Sequence, residues 1–353
     1  MKLVATPLLQ RLRRVRQLAM ACLVYPGALH TRFDHTLGVC HVAGLMARQL
    51  GIGAHQTRLV RLAALLHDLG HGPFSHVSEN VLVRYAKPET IPVGYKKEKI
   101  HELITERLIC DDPDIVRIVS KDMAEQIAKL LRTGHGPSIL RSIVSGPLDA
   151  DKQDYLLRDG LFCGVQYGVF DIYQLHRSML KVGPDDEQEL MIDPDGVHAL
   201  EQFVLAKYYL TSNVYRHRVS LVTDQMIVRA LILGIEVDGL DDLRKLYTFD
   251  NSEEFLRRFV AFDDSRLLFH FDAAARPNTI CGDMLSRLQK RQLHKRIFTS
   301  RIQDFSDPAS KQKLQDISKP DQDALRGKIE AAIAEVIKQQ LPKTEVDPQL
   351  VIV

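Results

Sequence analysis

The chain has 353 residues, of which 45% are hydrophobic and 26% charged, with a net charge of +2. It is long enough to bury a large core and ordinary for a globular protein, and its near-neutral balance gives no global case for nucleic-acid binding, although a local patch could still serve it. No apolar run reaches membrane-span length, the N-terminus turns charged at Arg11 without a signal-peptide core, and Cys22, Cys40, Cys110, Cys163 and Cys281 stand far apart with no CxxC pair, so a soluble cytoplasmic protein with free thiols and no membrane partner is expected.

The pattern is mostly helical. Thr6-Pro7 reads as an N-cap and first turn, opening a helix through Leu8, Leu9, Leu12, Val15 and Leu18, with Pro26-Gly27 closing the region. A second helix begins near Asp34 and carries Leu37, Val42, Leu45 and Met46 toward the core. A third covers 56–67, with Leu62, Ala63, Leu65 and Leu66 at helical spacing, before Gly70, Gly72 and Pro73 break it. Further helices are expected over 97–109, 122–131 and 151–157, then a hairpin pairing 180–182 with 189–192. Long helices return over 197–235, and Gly239 with Asp241 and Asp242 breaks them. An amphipathic helix over 330–340 and a strand over 349–353 follow. The Leu-Val-Ile-Val ending, with no polar tail, leads us to expect a truncated chain. The domain reading is 1–236 and 237–353, with no internal repeat.

Half of the 14 histidines fall between His30 and His76, and the run from His67 to His76 holds three imidazoles and the Asp68 carboxylate. His35 sits one turn into the second helix, and His67-Asp68 close the third. Two packed helices could bring these ligands together, with a further carboxylate from the acidic cluster 149–154. Imidazole ligands favour Mn, Fe, Co, Ni or Zn over an all-oxygen Mg or Ca site, although a second ion, Mg, remains open. His76 has Glu79 three residues on, within helical reach for orienting the imidazole.

These motifs resemble the HD-domain phosphohydrolases, with their H…HD…D pattern. The nearest branch is that of the SAM-and-HD-domain deoxynucleoside triphosphate triphosphohydrolases and bacterial dGTPase-like enzymes. The likeness is carried by Gln10-Arg11-Leu12-Arg13, Gln17-Leu18, Pro26-Gly27-Ala28, Arg32-Phe33-Asp34-His35, the 67–76 run, His101-Glu102, Asp149-Ala150-Asp151-Lys152, Tyr155, Arg158-Asp159 and Tyr215 with His217. It covers roughly 5–235, and no SAM domain is present. It implies a mainly α fold, an HD-domain helical bundle with a small β-hairpin and a C-terminal α+β lobe.

By that resemblance His35, His67, Asp68 and Asp151 ligate a divalent metal ion. His71 and His76 face the phosphates, Glu79 supports His76, and His101 donates the proton to the leaving group. Arg32 and Lys152 contact phosphate, while Gln17 with Leu18, Tyr155, Asp159 and Tyr215 read the nucleoside. Lys207 and Thr211 stand where the family has an arginine and a histidine toward the triphosphate, and Arg216 replaces a glutamine near the base.

Gln10, Arg13 and Arg218 match a nucleotide activator site between subunits, which implies a homo-oligomer. Ala5 stands there in place of an aspartate. The basic run Arg11, Arg13, Arg14 and Arg16 reads equally as a solvated helix face. The implied activity is hydrolysis of deoxynucleoside triphosphates to deoxynucleoside and triphosphate. A nucleotidase, a phosphodiesterase or a non-catalytic nucleotide- or nucleic-acid-binding regulator remains the alternative.

Overall fold

The computed structural model describes residues 2–93, 95, 97–132, 138–184, 188–295, 302–317, 323–340 and 351–352. They form two units, Met1–Gln292 and Leu293–Val353. Both are helical, and the two-stranded β1 (Met179–Val182) and β2 (Glu189–Ile192) pair antiparallel with Leu180 opposite Met191. Among the described residues no helix is long and apolar enough to cross a membrane.

The N-terminus departs from the expected long helix. Helix α1 is only Pro7–Arg11, a 3-10 turn follows over Leu12–Arg14, and Val15 is already extended. The helix stops because tertiary partners take its next amides. Arg16 N–H donates to Asp264 Oδ2 (2.9 Å), and Gln17 N–H to the His30 carbonyl (3.1 Å). Arg16 thereby bridges Thr31 in antiparallel fashion.

Helix α2 (Arg32–Gln49) starts where a capping box fixes it. Thr31 accepts from the Asp34 amide, and Asp34 Oδ2 accepts from the Thr31 amide at 2.9 Å, an arrangement that stabilises a helix start by about 1 kcal/mol. This sets Arg32 and His35 three residues apart on one face. Helix α3 (Ala54–Leu66) buries Leu59, Val60, Ala63 and Leu66, and His67 is its C-cap.

Helices α4 (His76–Tyr85), α5 (Ile100–Asp111), α6 (Pro113–Val119), α7 (Lys121–Leu131) and α8 (Ser138–Ser145) follow. Then comes α9 (Ala150–Cys163), capped by the Asp149 side chain on the Lys152 amide at 2.8 Å. After α10 (Ile172–Arg177) and the hairpin, α11 (Val197–Leu210) runs through a π turn into α12 (Arg218–Glu236). Four shorter helices, α13 (Asp241–Tyr247), α14 (Glu253–Val260), α15 (Asp264–Phe271) and α16 (Ile280–Gln289), complete the first unit.

The second unit holds α17 (Pro308–Ile317) and α18 (Asp323–Gln340), tied by Arg326 Nη1 on the Ile317 carbonyl at 2.7 Å. The strand expected over 349–353 falls largely outside the described residues.

Helix α2 packs on α3 and α9, and these three carry the site. The approach of α2 to α9 requires glycine, since a Cβ on Gly38 would lie 1.8 Å from Asp154 Oδ1. Gly70 does the same for the turn after α3, where a Cβ would lie 2.2 Å from the His101 carbonyl of α5.

Candidate metal centre and phosphate site

Helix α2 presents His35, the end of α3 presents His67, and the first turn of α9 presents Asp151. Their donor atoms all lie within 4.8 Å of one another. His35 Nε2 is 2.9 Å from Asp151 Oδ1, and its Nδ1–H donates to Asp154 Oδ2 at 2.8 Å. Asp154 is in turn gripped by Arg158 at 2.8 and 2.9 Å, so a carboxylate orients the imidazole from behind. His67 Nδ1–H donates to the Ala64 carbonyl at 2.7 Å, which turns Nε2 toward the centre. That Nε2 is buried and makes no hydrogen bond.

The electrostatics of this centre suit a cation. Burial disfavours charge on His35, yet Asp151, Asp154 and Asp68 outweigh it and raise its pKa to about 10. Burial likewise opposes protonation of His67, and the Asp68 and Asp151 carboxylates overcome it. Burial should push Asp151 up, but the imidazoles of His35 and His67 hold it well below the usual carboxylate range. In the absence of metal, protons on imidazole balance the carboxylates. A divalent ion would displace them. The orphaned His67 Nε2 and the mixed nitrogen–oxygen donor set therefore fit a divalent transition metal.

Asp68 stands beside this trio. Its Oδ2 accepts from Arg32 Nη1 at 2.5 Å and is 3.9 Å from His35 Nε2, while Oδ1 lies 3.1 Å from His67 Nε2 and 3.4 Å from His71 Nε2. Burial opposes its ionisation, but Arg32, His67 and His71 hold the pKa well below the ordinary value. Arg32 is itself buried, with Nε on Ser75 Oγ at 2.7 Å and Nη2 buried without a hydrogen bond.

A histidine cluster adjoins the trio. The His71 and His101 rings stack with centroids 4.4 Å apart, and His76 meets His71 edge-on at 4.7 Å. Burial, with the charge of Arg32 added, keeps His71 well below its ordinary pKa and hence neutral. Glu79 joins the outer pair, with Oε1 in a short hydrogen bond to His101 Nδ1 and Oε2 3.5 Å from His76 Nδ1. The acidic partner expected for His76 thus serves His101 more closely. A small cavity between Gly70, His71, Ser75, Glu79 and His101 has room for about one water molecule.

The outlying residues are placed as follows. Lys152 Nζ is held by Asp149 Oδ2 (2.6 Å) and the Gly146 carbonyl (3.1 Å). Asp159 is buried, with Oδ1 2.8 Å from His30 Nε2 and Oδ2 accepting from the Tyr215 hydroxyl at 2.6 Å. Gln17 Oε1 is buried with no hydrogen bond, and Tyr155 meets Tyr215 edge-on at 6.3 Å. Lys207 and Arg216 are exposed, and Thr211 Oγ1 donates to the Lys207 carbonyl at 2.7 Å. Leu18 is half-buried. Gln10 Nε2 donates to the Val4 carbonyl (2.6 Å) and its Oε1 accepts from Arg13 Nε (2.8 Å), whereas Arg218 opens α12 exposed.

The basic run is not a single solvated face. Arg11 is buried, donating to the Phe262 carbonyl at 3.0 Å, while Arg14 pairs with Asp263 at 2.5 Å. Sequence reading assigned no role to His30, Ser75 or Asp264, and placed Asp154 only in the acidic cluster 149–154. His30 left a signal as the first member of the histidine-rich stretch, and Ser75 as part of the 67–76 run, whereas Asp264 left none.

A helical bundle carrying a partly buried imidazole–carboxylate trio that could hold a metal ion suits a metal-binding hydrolase. Residues 32–159 match the HD domain, and residues 171–353 match the HD associated region. The chain belongs to the HD-domain family of phosphohydrolases. HD domains bind divalent metals.

The uncharacterized protein YwfO of Bacillus subtilis is 31% identical over 309 residues, spanning 82% of this chain and 66% of that protein. The deoxynucleoside triphosphate triphosphohydrolase SAMHD1 of Gallus gallus is 26% identical over 362 residues, spanning 93% of this chain and 56% of that protein. The crystal structure of a phosphohydrolase from Bacteroides thetaiotaomicron matches with a TM-score of 0.67 at 26% identity, covering 91% of this chain and 80% of that one. This chain therefore covers less than two thirds of the length of the two curated relatives.

Proposed function

We propose that the protein hydrolyses deoxynucleoside triphosphates to deoxynucleoside and triphosphate, with a divalent ion held by His35, His67, Asp151 and the adjoining Asp68. The observation that carries the reading is the His71–His76–His101–Glu79 cluster packed against the metal trio. Likeness to SAMHD1 supports the choice of substrate. When bound, the ion supplies Lewis-acid polarisation of the phosphoryl group.

The chain's own residues do the rest. Arg32, with its buried unpartnered Nη2, takes phosphate oxygen, and Lys152 adds charge. His71 and His76 line the phosphate. The Glu79 carboxylate fixes His101 through Nδ1, leaving Nε2 as the nitrogen that passes a proton to the departing 5′-oxygen. Gln17, whose buried Oε1 lacks a partner, accepts from the sugar hydroxyl beside Asp159, and Tyr155 crowds a ribose 2′-hydroxyl. Water attacks the α-phosphorus, the bond to the 5′-oxygen breaks, and the triphosphate leaves intact.

One observation favours a second reading, hydrolysis of a smaller phosphate ester. Lys207 is exposed and the Thr211 hydroxyl donates to the Lys207 carbonyl, so the two residues that the resemblance sets toward the triphosphate would clamp it weakly. A panel of dNTPs, nucleoside monophosphates and cyclic nucleotides with Mn²⁺ separates the two. Turnover of dNTPs alone, abolished in His67→Ala, supports the proposal, and turnover of only the smaller esters refutes it.

A further inference from the structure

The turn that leads from the HD pair to His76 is strained. Phe74 and Ser75 are consecutive non-glycine residues with φ of 59° and 54°, in the left-handed region. Something must hold them there. Phe74 is buried, and its amide donates to Asp264 Oδ1 at 2.8 Å, across 190 residues of chain. The other oxygen of Asp264 accepts from the Arg16 amide at 2.9 Å. The Arg16 carbonyl accepts from the Ser75 hydroxyl at 2.7 Å, and that hydroxyl accepts from Arg32 Nε at 2.7 Å. One carboxylate thus pins both sides of a loop of hydrogen bonds that ends on the Arg32 guanidinium.

We propose that Asp264, from the HD associated region, is a positioning residue of the hydrolytic site, holding the 74–76 turn and Arg32 in register for a phosphate substrate. This rests on the reading above that Arg32 and His76 serve phosphate. Asp264 begins α15, where an acid at a helix start would ordinarily face solvent. It is instead buried, and its neighbour Asp263 does the capping, accepting from the Arg266 amide at 2.9 Å. Burial pushes the Asp264 carboxyl up to about 6, against the pull of the Phe74 and Arg16 amides. A buried acid aimed at two backbone amides of a strained turn is placed for geometry. The Phe74 and Arg16 amides each need an acceptor, and the two carboxylate oxygens of Asp264 supply one apiece. An asparagine there would face one amide with its own N–H₂.

The test is a double-mutant cycle on Asp264→Asn and Ser75→Ala, with kcat, KM, bound metal, inorganic triphosphate binding and amide exchange at Phe74 measured for each. Asp264→Asn should lower kcat/KM by about 10–100-fold, the scale of a small misplacement near the chemistry, while metal content is kept. It should also weaken inorganic triphosphate binding, speed Phe74 exchange, and add little in the Ser75→Ala background. Parent-like kcat/KM and triphosphate binding would overturn the proposal, as would two effects that simply multiply.

If Asp264→Asn does not fold, Ser75→Ala decides alone, because it cuts the hydroxyl's links to Arg32 and to the Arg16 carbonyl while leaving both amide bonds to Asp264 in place. The same loss supports the proposal, and parent-like behaviour overturns it. If the parent protein cleaves no phosphate ester, the hydrolytic reading fails. Triphosphate binding and Phe74 exchange then still decide the role of Asp264.

Discussion

Replacing Gly38 by alanine sets two effects against each other, and the structure says which wins. Helix propensity alone favours alanine over glycine by about 1 kcal/mol. Against that, the new Cβ would lie 1.8 Å from Asp154 Oδ1 and 2.2 Å from Arg158 Nη2. An ordinary carbon–oxygen contact is about 3.3 Å, so the carboxylate must retreat by about 1.5 Å. It cannot do so freely, because Oδ2 sits 2.8 Å from His35 Nδ1 and both oxygens bind Arg158.

Either α2 parts from α9, at about 1–3 kcal/mol for overpacking, or hydrogen bonds to a charged group break, at about 1.5–3 kcal/mol. Subtracting the propensity gain leaves Gly38→Ala less stable by up to about 2 kcal/mol. His35 also loses the carboxylate that orients it, so metal affinity should fall about 10–100-fold. Urea unfolding and a metal titration read both quantities. A variant as stable as the parent, with unchanged metal affinity, would refute the packing argument.

Other expectations follow from the same site and from one acid outside it, Asp224 on α12. Asp151→Ala and His67→Ala should each lose bound metal by elemental analysis together with hydrolysis. Glu79→Gln removes the carboxylate from His101 and His76, and steady-state rates should fall about 10²–10⁴-fold with the pH profile altered. The folded-state pKa of Glu79 lies below its unfolded value of 4.5, burial being outweighed by hydrogen bonds from His101 and His76. Its ionisation therefore stabilises the fold above that pH and the contribution disappears as pH falls below it, so Glu79→Gln should flatten acid unfolding there. Asp224 behaves oppositely, since burial raises its pKa from 3.8 to about 7. The fold loses stability as pH rises between those values, and the advantage of Asp224→Asn over the parent in urea midpoints should widen from pH 4 to pH 7.

Helix periodicity and capping residues made α2, α3, α9 and the hairpin legible, because there local signals and tertiary packing agree. The first helix was misread where they disagree. The apolar spacing through Val15 and Leu18 continues, but Asp264 and His30 capture the amides of Arg16 and Gln17. The histidines of the site were visible as an ordered motif. Their supports were not, since Asp154 and Asp264 act through contacts 119 and 190 residues away in sequence. Nor does spacing reveal that Glu79 serves His101 across two helices more closely than His76 on its own.

The most direct test is the product formed from a dNTP with Mn²⁺ in ¹⁸O-labelled water. Attack at the α-phosphorus with cleavage of its bond to the 5′-oxygen yields labelled inorganic triphosphate and unlabelled deoxynucleoside. Orthophosphate or pyrophosphate as the product, or label in the deoxynucleoside, would contradict it.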